Sequence, residues 1–221
     1  MLQVRVLYEG EGFHGHGQVS ARKVGEVRFF VQTLGKRQEW VEDIRRQIPE
    51  LEIMQSVNGL DHEEAERELL GLGLEYHNLG FPNYGVLGCW LTKFKGFEMQ
   101  ARDGIPAACW LEDDLLLGFS FEGLTFRQFV EEEAGKPGKY DILRLGGWGE
   151  CYVTHLDGAT RLVERLRKDG IRCNVDNQLK ACNEHCPGIA PYRLRCGTNC
   201  GDTLKGRGID QERLRKLTQR V

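Results

Sequence analysis

Three consecutive acids, Glu112-Asp113-Asp114, stand between two apolar runs, Ala107-Ala108-Cys109-Trp110-Leu111 and Leu115-Leu116-Leu117. A solvated acidic run has polar neighbours, whereas these acids fall where a buried strand ends. Carboxylates taken out of water without a partner are costly, and one divalent cation compensates several of them at once. Hard cations such as Mg²⁺ or Mn²⁺ take oxygen ligands and leave positions for water and phosphate. The pattern predicts a metal–diphosphate site at the C-terminal edge of a sheet. The competing reading is a set of solvated loop acids.

Asp176, in Asn174-Val175-Asp176-Asn177, falls in a segment expected to be loop. A carboxylate there has three readings: a general base, a further metal ligand, or a helix N-cap. Two C-x₃-C pairs, Cys182/Cys186 and Cys196/Cys200, lie ten residues apart in the tail. Four such thiolates suit one structural tetrahedral Zn²⁺, with His185 able to replace one of them. Free thiols and a pair of disulfides are the other readings. His14 and His16 sit in a glycine-rich stretch and read as surface residues. Cys89 and Cys109 lie in apolar runs and read as small core residues.

Elements that position these residues follow from periodicity. Leu2 to Leu7 reads as a short strand, and Glu9 to Gly25 as an exposed loop or hairpin. Val27 to Thr33 reads as a buried strand, followed by a helix over Lys36 to Ile48 with Trp40, Val41, Ile44 and Ile48 on one face. Leu51 to Val57 is the next strand. Asp61 and Glu64 form a capping-box pattern for a helix to about Leu70. A helix over Val86 to Arg102 has the apolar stripe Leu87, Trp90, Leu91, Phe94, Phe97 and Ala101. Lys93 falls on its polar side. Ala107 to Leu111 is the strand carrying the acids. Thr125 and Gln128 form a second cap, with Phe126, Phe129 and Val130 inward. Tyr140 to Leu145 and Glu150 to His155 read as strands, and Asp157 as the cap of a helix to Lys168. Ile209 to Val221 reads as a basic terminal helix, its charge a solvated face or a contact for an acidic partner or membrane surface. Alternating strands and helices predict a mainly parallel α/β sheet flanked by helices, with a cysteine-rich C-terminal tail.

The 221 residues suffice for one α/β domain with its own core. A 40% hydrophobic and 29% charged composition is that of an ordinary globular chain. With 33 acids against 30 bases, the net charge of −3 argues against a general nucleic-acid binder. No stretch approaches the roughly 18 apolar residues of a membrane span, and the N-terminus lacks a signal-peptide layout. A cytosolic location is expected, with cysteines as thiols or metal ligands.

The order of short phrases resembles glycosyltransferase family 25, the group that includes lipooligosaccharide and collagen galactosyltransferases. The strand Val27-Arg28-Phe29-Phe30-Val31 precedes the basic start Leu34-Gly35-Lys36-Arg37. Ser56-Val57-Asn58-Gly59 matches a family "A-V-N-G". Gly85-Val86-Leu87-Gly88-Cys89-Trp90-Leu91-Thr92-Lys93 matches "G-x-x-G-C-x-L-S-H", with Thr92-Lys93 in place of Ser-His. Leu111 to Asp114 matches "L-E-D-D", and Tyr140 to Leu145 a "D-x-x-x-L" strand containing Asp141. Tyr152 to Leu162 matches "Y-x-I-S-x-x-G-A-x-x-L", and Val175-Asp176 a "V-D" phrase. Each phrase alone is weak; their order over roughly residues 27 to 180 carries the resemblance.

The resemblance implies a GT-A fold. Residues 1–26 would be an N-terminal strand and loop, 27–180 the family-like core, and 181–221 the cysteine-rich tail and basic helix of one domain. It implies transfer of a hexose, galactose or glucose, from a UDP-sugar, by inversion, with Mn²⁺ or Mg²⁺. The acceptor would be a saccharide or other hydroxyl, as in glycan or lipooligosaccharide biosynthesis. Asp114 and Glu112 are the expected metal ligands, with Glu112 or Asp113 also holding metal-bound water or the donor ribose. Thr33, Leu34, Lys36, Arg37, Asn58 and Gly59 are expected to face the donor at helix N-termini and strand ends, with a solvated helix start as the competing reading of Lys36-Arg37. Lys93 is the candidate replacing the family histidine, as a phosphate contact. Asp176 is the expected base. Asp141 reads as a structural partner. The reading from another class is a non-catalytic GT-A-like binding module with a zinc-stabilised tail. A nucleotidyl or phosphoryl transferase would need a P-loop or D-x-D-x-[TV] motif, and neither occurs.

Overall fold

Alternation along three strands builds the core. In the strand Val27–Thr33 (β1), Val27, Phe29 and Val31 join one apolar cluster and Phe30 the other. In Ala107–Glu112 (β3), Ala107, Cys109 and Leu111 join the first, and Ala108 and Trp110 the second. Cys151–His155 (β6) divides in the same way, with Cys151 and Val153 against Tyr152. A period of two sends successive side chains to opposite faces, so a sheet buried on both faces needs a helical layer on each side.

The computed structural model describes residues 27–77, 84–118, 123–136, 140–145, 149–182, 184–185 and 191–195. The expected Leu2–Leu7 strand, the loop with His14 and His16, and the terminal basic helix lie outside the described residues. So do Cys186, Cys196 and Cys200, three of the four expected zinc ligands. Cys182 is described, as a half-buried thiol whose Sγ donates to the Gln178 carbonyl at 3.6 Å.

The other strands of the main sheet are Glu52–Gln55 (β2), Ile142–Arg144 (β5) and Glu184–His185 (β7). Their order is β2-β1-β3-β6-β5-β7. β1 runs parallel to β2 and β3, and β5 parallel to β7, while β6 is antiparallel to β3 and β5. Among the described strands of this sheet, then, β6 alone opposes the common direction. A short pair, Leu115–Leu116 (β4) with Arg193–Leu194 (β8), lies outside the main sheet.

Helices Gln38–Gln47 (α1) and Phe126–Gly135 (α4) cover the first face through Val41, Ile44, Phe126, Phe129 and Val130. His62–Gly71 (α2), Tyr84–Asp103 (α3), Leu156–Asp169 (α5) and Val175–Lys180 (α6) cover the second. Asp61 accepts from the Glu64 amide, and Thr125 and Gln128 close a full capping box, as their spacing predicts. Asp157 does not cap α5. β6 runs straight into that helix at His155, so Asp157 falls inside the first turn, where its charge meets the helix dipole. α3 departs from a one-sided stripe. It packs on the sheet, α2 and α5, so Thr92, Lys93 and Gln100 are buried along with the apolar stripe. Lys93 is therefore not on a solvated face. No described helix is long and apolar enough to cross a membrane.

Candidate functional site

After β1 the chain passes through α1 to β2 on one side, and α2 and α3 then carry it back across β1 to β3 on the other. Connections that part at the carboxyl end of a central strand leave a crevice there. A cleft of about 170 Å³ lies at that point. From the β1 end it is lined by Thr33, Leu34, Lys36 and Arg37. Asn58 and Gly59 come from the β2 end, Thr92 and Lys93 from α3, and Glu112, Asp113 and Asp114 from the β3 end. Every residue expected to bind the donor, and both expected ligands of its metal ion, Glu112 and Asp114, thus border one cavity. Asp176 is not part of that lining.

Alternation decides where each acid points. Glu112 is the last residue of β3 and shares the face of Ala108 and Trp110, so it meets α3. There Lys93 Nζ donates to Glu112 Oε1 at 3.1 Å and to the Gly149 carbonyl at 2.8 Å. The ammonium also lies 4.8 Å from the centre of the Tyr152 ring. Lys93 is only 2% exposed. Burial alone would lower its pKa, but the neighbouring Tyr152, Glu112 and Cys89 outweigh that and raise it. Its contacts tie α3 to β3 and to the turn that precedes β6. Burial raises the Glu112 pKa, Lys93 opposes the shift, and Asp114 adds to it. Burial pushes the Cys89 thiol up to about 12, leaving it an inert neutral wall of the cleft.

Past the strand end the turn rotates the next two acids away from Glu112. Asp113 accepts from Thr33 Oγ1 at 2.6 Å and from Arg37 at 3.1 Å, so both its oxygens are engaged. It ties β1 to the acidic turn instead of facing a ligand freely. Asp114 is 7% exposed. Its Oδ2 lies 3.9 Å from the Arg37 guanidinium, and its Oδ1 is buried with no hydrogen-bond partner. An unpartnered buried carboxylate oxygen beside a cleft is a candidate ligand atom. Among the described residues no three His, Cys, Asp or Glu converge into a metal cage. Mg²⁺ and Mn²⁺ need none, since one or two carboxylates plus a bound diphosphate complete their shell. Asp114 fits that pattern best, and Glu112, drawn to Lys93, fits it less well.

The hydroxyl at position 92 is retained where the sequence departs from the family phrase. Thr92 Oγ1 accepts from the Val57 amide at 2.9 Å and donates to the Gly88 carbonyl at 2.8 Å. It fixes the approach to Asn58-Gly59, and Asn58 Oδ1 in turn accepts from the Leu60 amide at 3.1 Å. Asp141 accepts from Arg161 at 2.6 Å, a structural pairing as expected.

Searched against models of known protein families, the chain matches none, and no curated protein matches it significantly. What the site does must therefore be argued from its own geometry.

Asp176 lies in the first turn of α6 and not in a loop, because Asn174, not Asp176, caps that helix by accepting from the Asn177 amide at 3.3 Å. Its carboxylate presses on Gly149, where a Cβ would sit 2.9 Å from Asp176 Oδ1. That places it beside the Lys93–Glu112 pair at the edge of the site.

Three contributors have no local signature. Glu150 carries the carbonyl that accepts from the Glu112 amide at 2.9 Å, and its side chain accepts from Tyr192 Oη at 3.2 Å. Arg195 donates its amide to the Asp114 carbonyl at 2.9 Å and its guanidinium to Asp43 at 2.7 Å. It also stacks over Trp40 at 5.6 Å. With Leu194 paired to Leu115, residues 191–195 strap the acidic turn to α1. Tyr192 and Arg195 lie in the expected tail, far in sequence from what they hold.

Burial pushes the Glu150 carboxyl up from an ordinary 4.5 to about 7, with its own backbone and Tyr192 opposing the shift and Glu112 and Asp176 reinforcing it. Between those pH values the folded chain holds a proton that the unfolded chain has released, so stability falls as pH rises through that window. In metal-free protein, Glu150→Gln is expected to match wild type below about pH 4.5 and to be more stable at pH 8. The gain should be about 1–2 kcal/mol after allowing for partial exposure. Denaturant titrations at the two pH values check this; equal stability at pH 8 would show that Glu150 ionises freely.

Proposed function

We propose that the chain is a metal-dependent glycosyltransferase of GT-A type that moves a hexose from a UDP-sugar to an acceptor hydroxyl, with inversion. The observation that carries this is Asp114, whose Oδ1 is buried and unpartnered, in the lining of a cleft at the carboxyl ends of parallel strands. The ordered phrases resembling glycosyltransferase family 25 support it, because their donor-side residues meet in that cleft. Saccharide acceptors follow from the resemblance alone.

Departure of a nucleoside diphosphate builds negative charge on its oxygens, and a bound Mn²⁺ or Mg²⁺ supplies the positive charge that stabilises it. Asp114 would hold that ion, with Glu112 at its outer side. Thr33 and the start of α1 border the space for the nucleoside, and Asn58-Gly59 close its far wall. Lys93, fixed on the Gly149 carbonyl, holds Glu112 in place and favours its ionised form. Asp176, at the edge of the cluster, is the candidate that takes the acceptor proton.

Hydrolysis of a UDP-hexose panel with Mn²⁺, with Mg²⁺ and with a chelator tests the proposal. One or more donors should turn over with metal and none without. Turnover that persists in chelator rules out this mechanism. The pairings of Arg37 with Asp113 and Lys93 with Glu112 favour a second reading, a binding module that has lost turnover. Metal-dependent UDP binding without hydrolysis or transfer would select it.

A further inference from the structure

We propose that Arg37 is a built-in counter-ion of the acidic turn, so that cation and nucleoside diphosphate bind cooperatively by displacing it; this rests on the transferase reading above. The cleft lining carries Lys36, Arg37 and Lys93 against Glu112, Asp113 and Asp114, three charges of each sign. The chain's own cations thus match the acids of the lining one for one. The two buried pairings differ in kind. Lys93 is enclosed and held by Glu112, the Gly149 carbonyl and the Tyr152 ring. The Arg37 side chain is 24% exposed and stands at the lip of the cleft, 3.1 Å from Asp113 and 3.9 Å from Asp114.

A divalent cation arriving alone meets this guanidinium beside Asp114, the carboxylate it needs. Like charges at such separations repel strongly where solvent is partly excluded. It also finds one Asp113 oxygen on Arg37 and the other on Thr33, leaving Asp114 Oδ1 as the unengaged oxygen of the pair. A diphosphate changes the balance. Guanidinium binds phosphate oxygens in a bidentate fork, so the donor gives Arg37 a partner outside the turn and releases the carboxylates. Trp40 supplies the pivot. Arg37 lies over one ring at 4.7 Å, and Arg195, anchored on Asp43, lies at 5.6 Å from the same ring. The guanidinium keeps to the Trp40 face while it exchanges one anion for another. Coupling of this kind is reciprocal: whatever UDP adds to metal affinity, metal adds to UDP affinity.

The test is free-Mn²⁺ titration by electron paramagnetic resonance, with and without UDP, on wild type, Arg37→Gln and Arg37→Met. The methionine variant keeps an unbranched, apolar side chain at this position, and circular dichroism identifies which neutral variant is folded, so either one decides. Wild type should bind Mn²⁺ weakly alone and at least about tenfold more tightly with UDP. The neutral variants should bind Mn²⁺ alone at least about tenfold more tightly than wild type, with a smaller gain from UDP. Equal Mn²⁺ affinity in wild type and a folded neutral variant, with UDP-dependent binding intact, overturns the counter-ion role and leaves the transferase reading standing. Folded wild type that binds no Mn²⁺ even with UDP overturns both.

Discussion

Asp114→Asn is expected to lower UDP-sugar turnover by about a thousandfold or more while leaving the metal-free fold at least as stable as wild type. The two halves of that result have one cause. Asp114 is 7% exposed, and its Oδ1 has no hydrogen-bond partner. A buried carboxylate oxygen left unmatched costs about 1–3 kcal/mol, so an isosteric amide removes a liability from the metal-free protein. Losing the negative ligand removes the charge that anchors the cation against the diphosphate, a stabilisation in the range of several kcal/mol. A structural acid would behave in the opposite way, with stability falling and turnover following it. Steady-state kinetics in Mn²⁺ and thermal melts in chelator separate the two cases.

Gly59→Ala should cost the fold about 3 kcal/mol or more. A Cβ on Gly59 would stand 2.1 Å from the Tyr84 carbonyl oxygen and 2.8 Å from the Gly85 Cα, both backbone atoms. One on Gly88 would stand 2.7 Å from the Gly59 amide nitrogen. The end of the β2 connection thus crosses the first turns of α3 in backbone contact, and no rotamer change relieves an added methyl. Because Asn58 and Gly59 form one wall of the cleft, forcing them outward should also weaken UDP binding. Gly71→Ala is the matched control: nothing lies within 4 Å of its added Cβ, and alanine is the better helix former by about 1 kcal/mol. It should be neutral or stabilising in the same denaturant titration, and a Gly59→Ala protein equally stable would show that the crossing is loose.

Where the sequence was legible, the controlling interactions were local. Val27 to Thr33 alternates between two apolar environments and is a strand of those bounds. The pairs Asp61/Glu64 and Thr125/Gln128 bond across one helical turn, a spacing visible in any sequence. The acids at 112–114 follow an apolar strand, and they reach the sheet edge by strand geometry alone. The glycines of the family-like phrases also have physical reasons. Gly59 meets Gly88, and a Cβ on Gly158 would lie 2.3 Å from the Asp141 carbonyl oxygen, so each joins two phrases distant in the chain.

Illegible features depend on contacts that local spacing does not encode. Lys93 reads as polar surface when a single buried stripe is assumed for α3, but that helix is enclosed by the sheet, α2 and α5. Glu112 and Asp114, two apart, would share a face on a continuing strand; β3 ends between them, and they turn to Lys93 and Arg37 respectively. Arg195 reaches Asp43 across 152 positions, and Tyr192 reaches Glu150 across 42, leaving no pattern for periodicity to find.

The most direct test is calorimetric titration of UDP into the folded protein in Mn²⁺ and again in excess chelator. A cation joining Asp114 to the pyrophosphate predicts saturable one-to-one binding in Mn²⁺ that vanishes with chelator. UDP affinity unchanged by chelator, or no binding to folded protein in either condition, would contradict it.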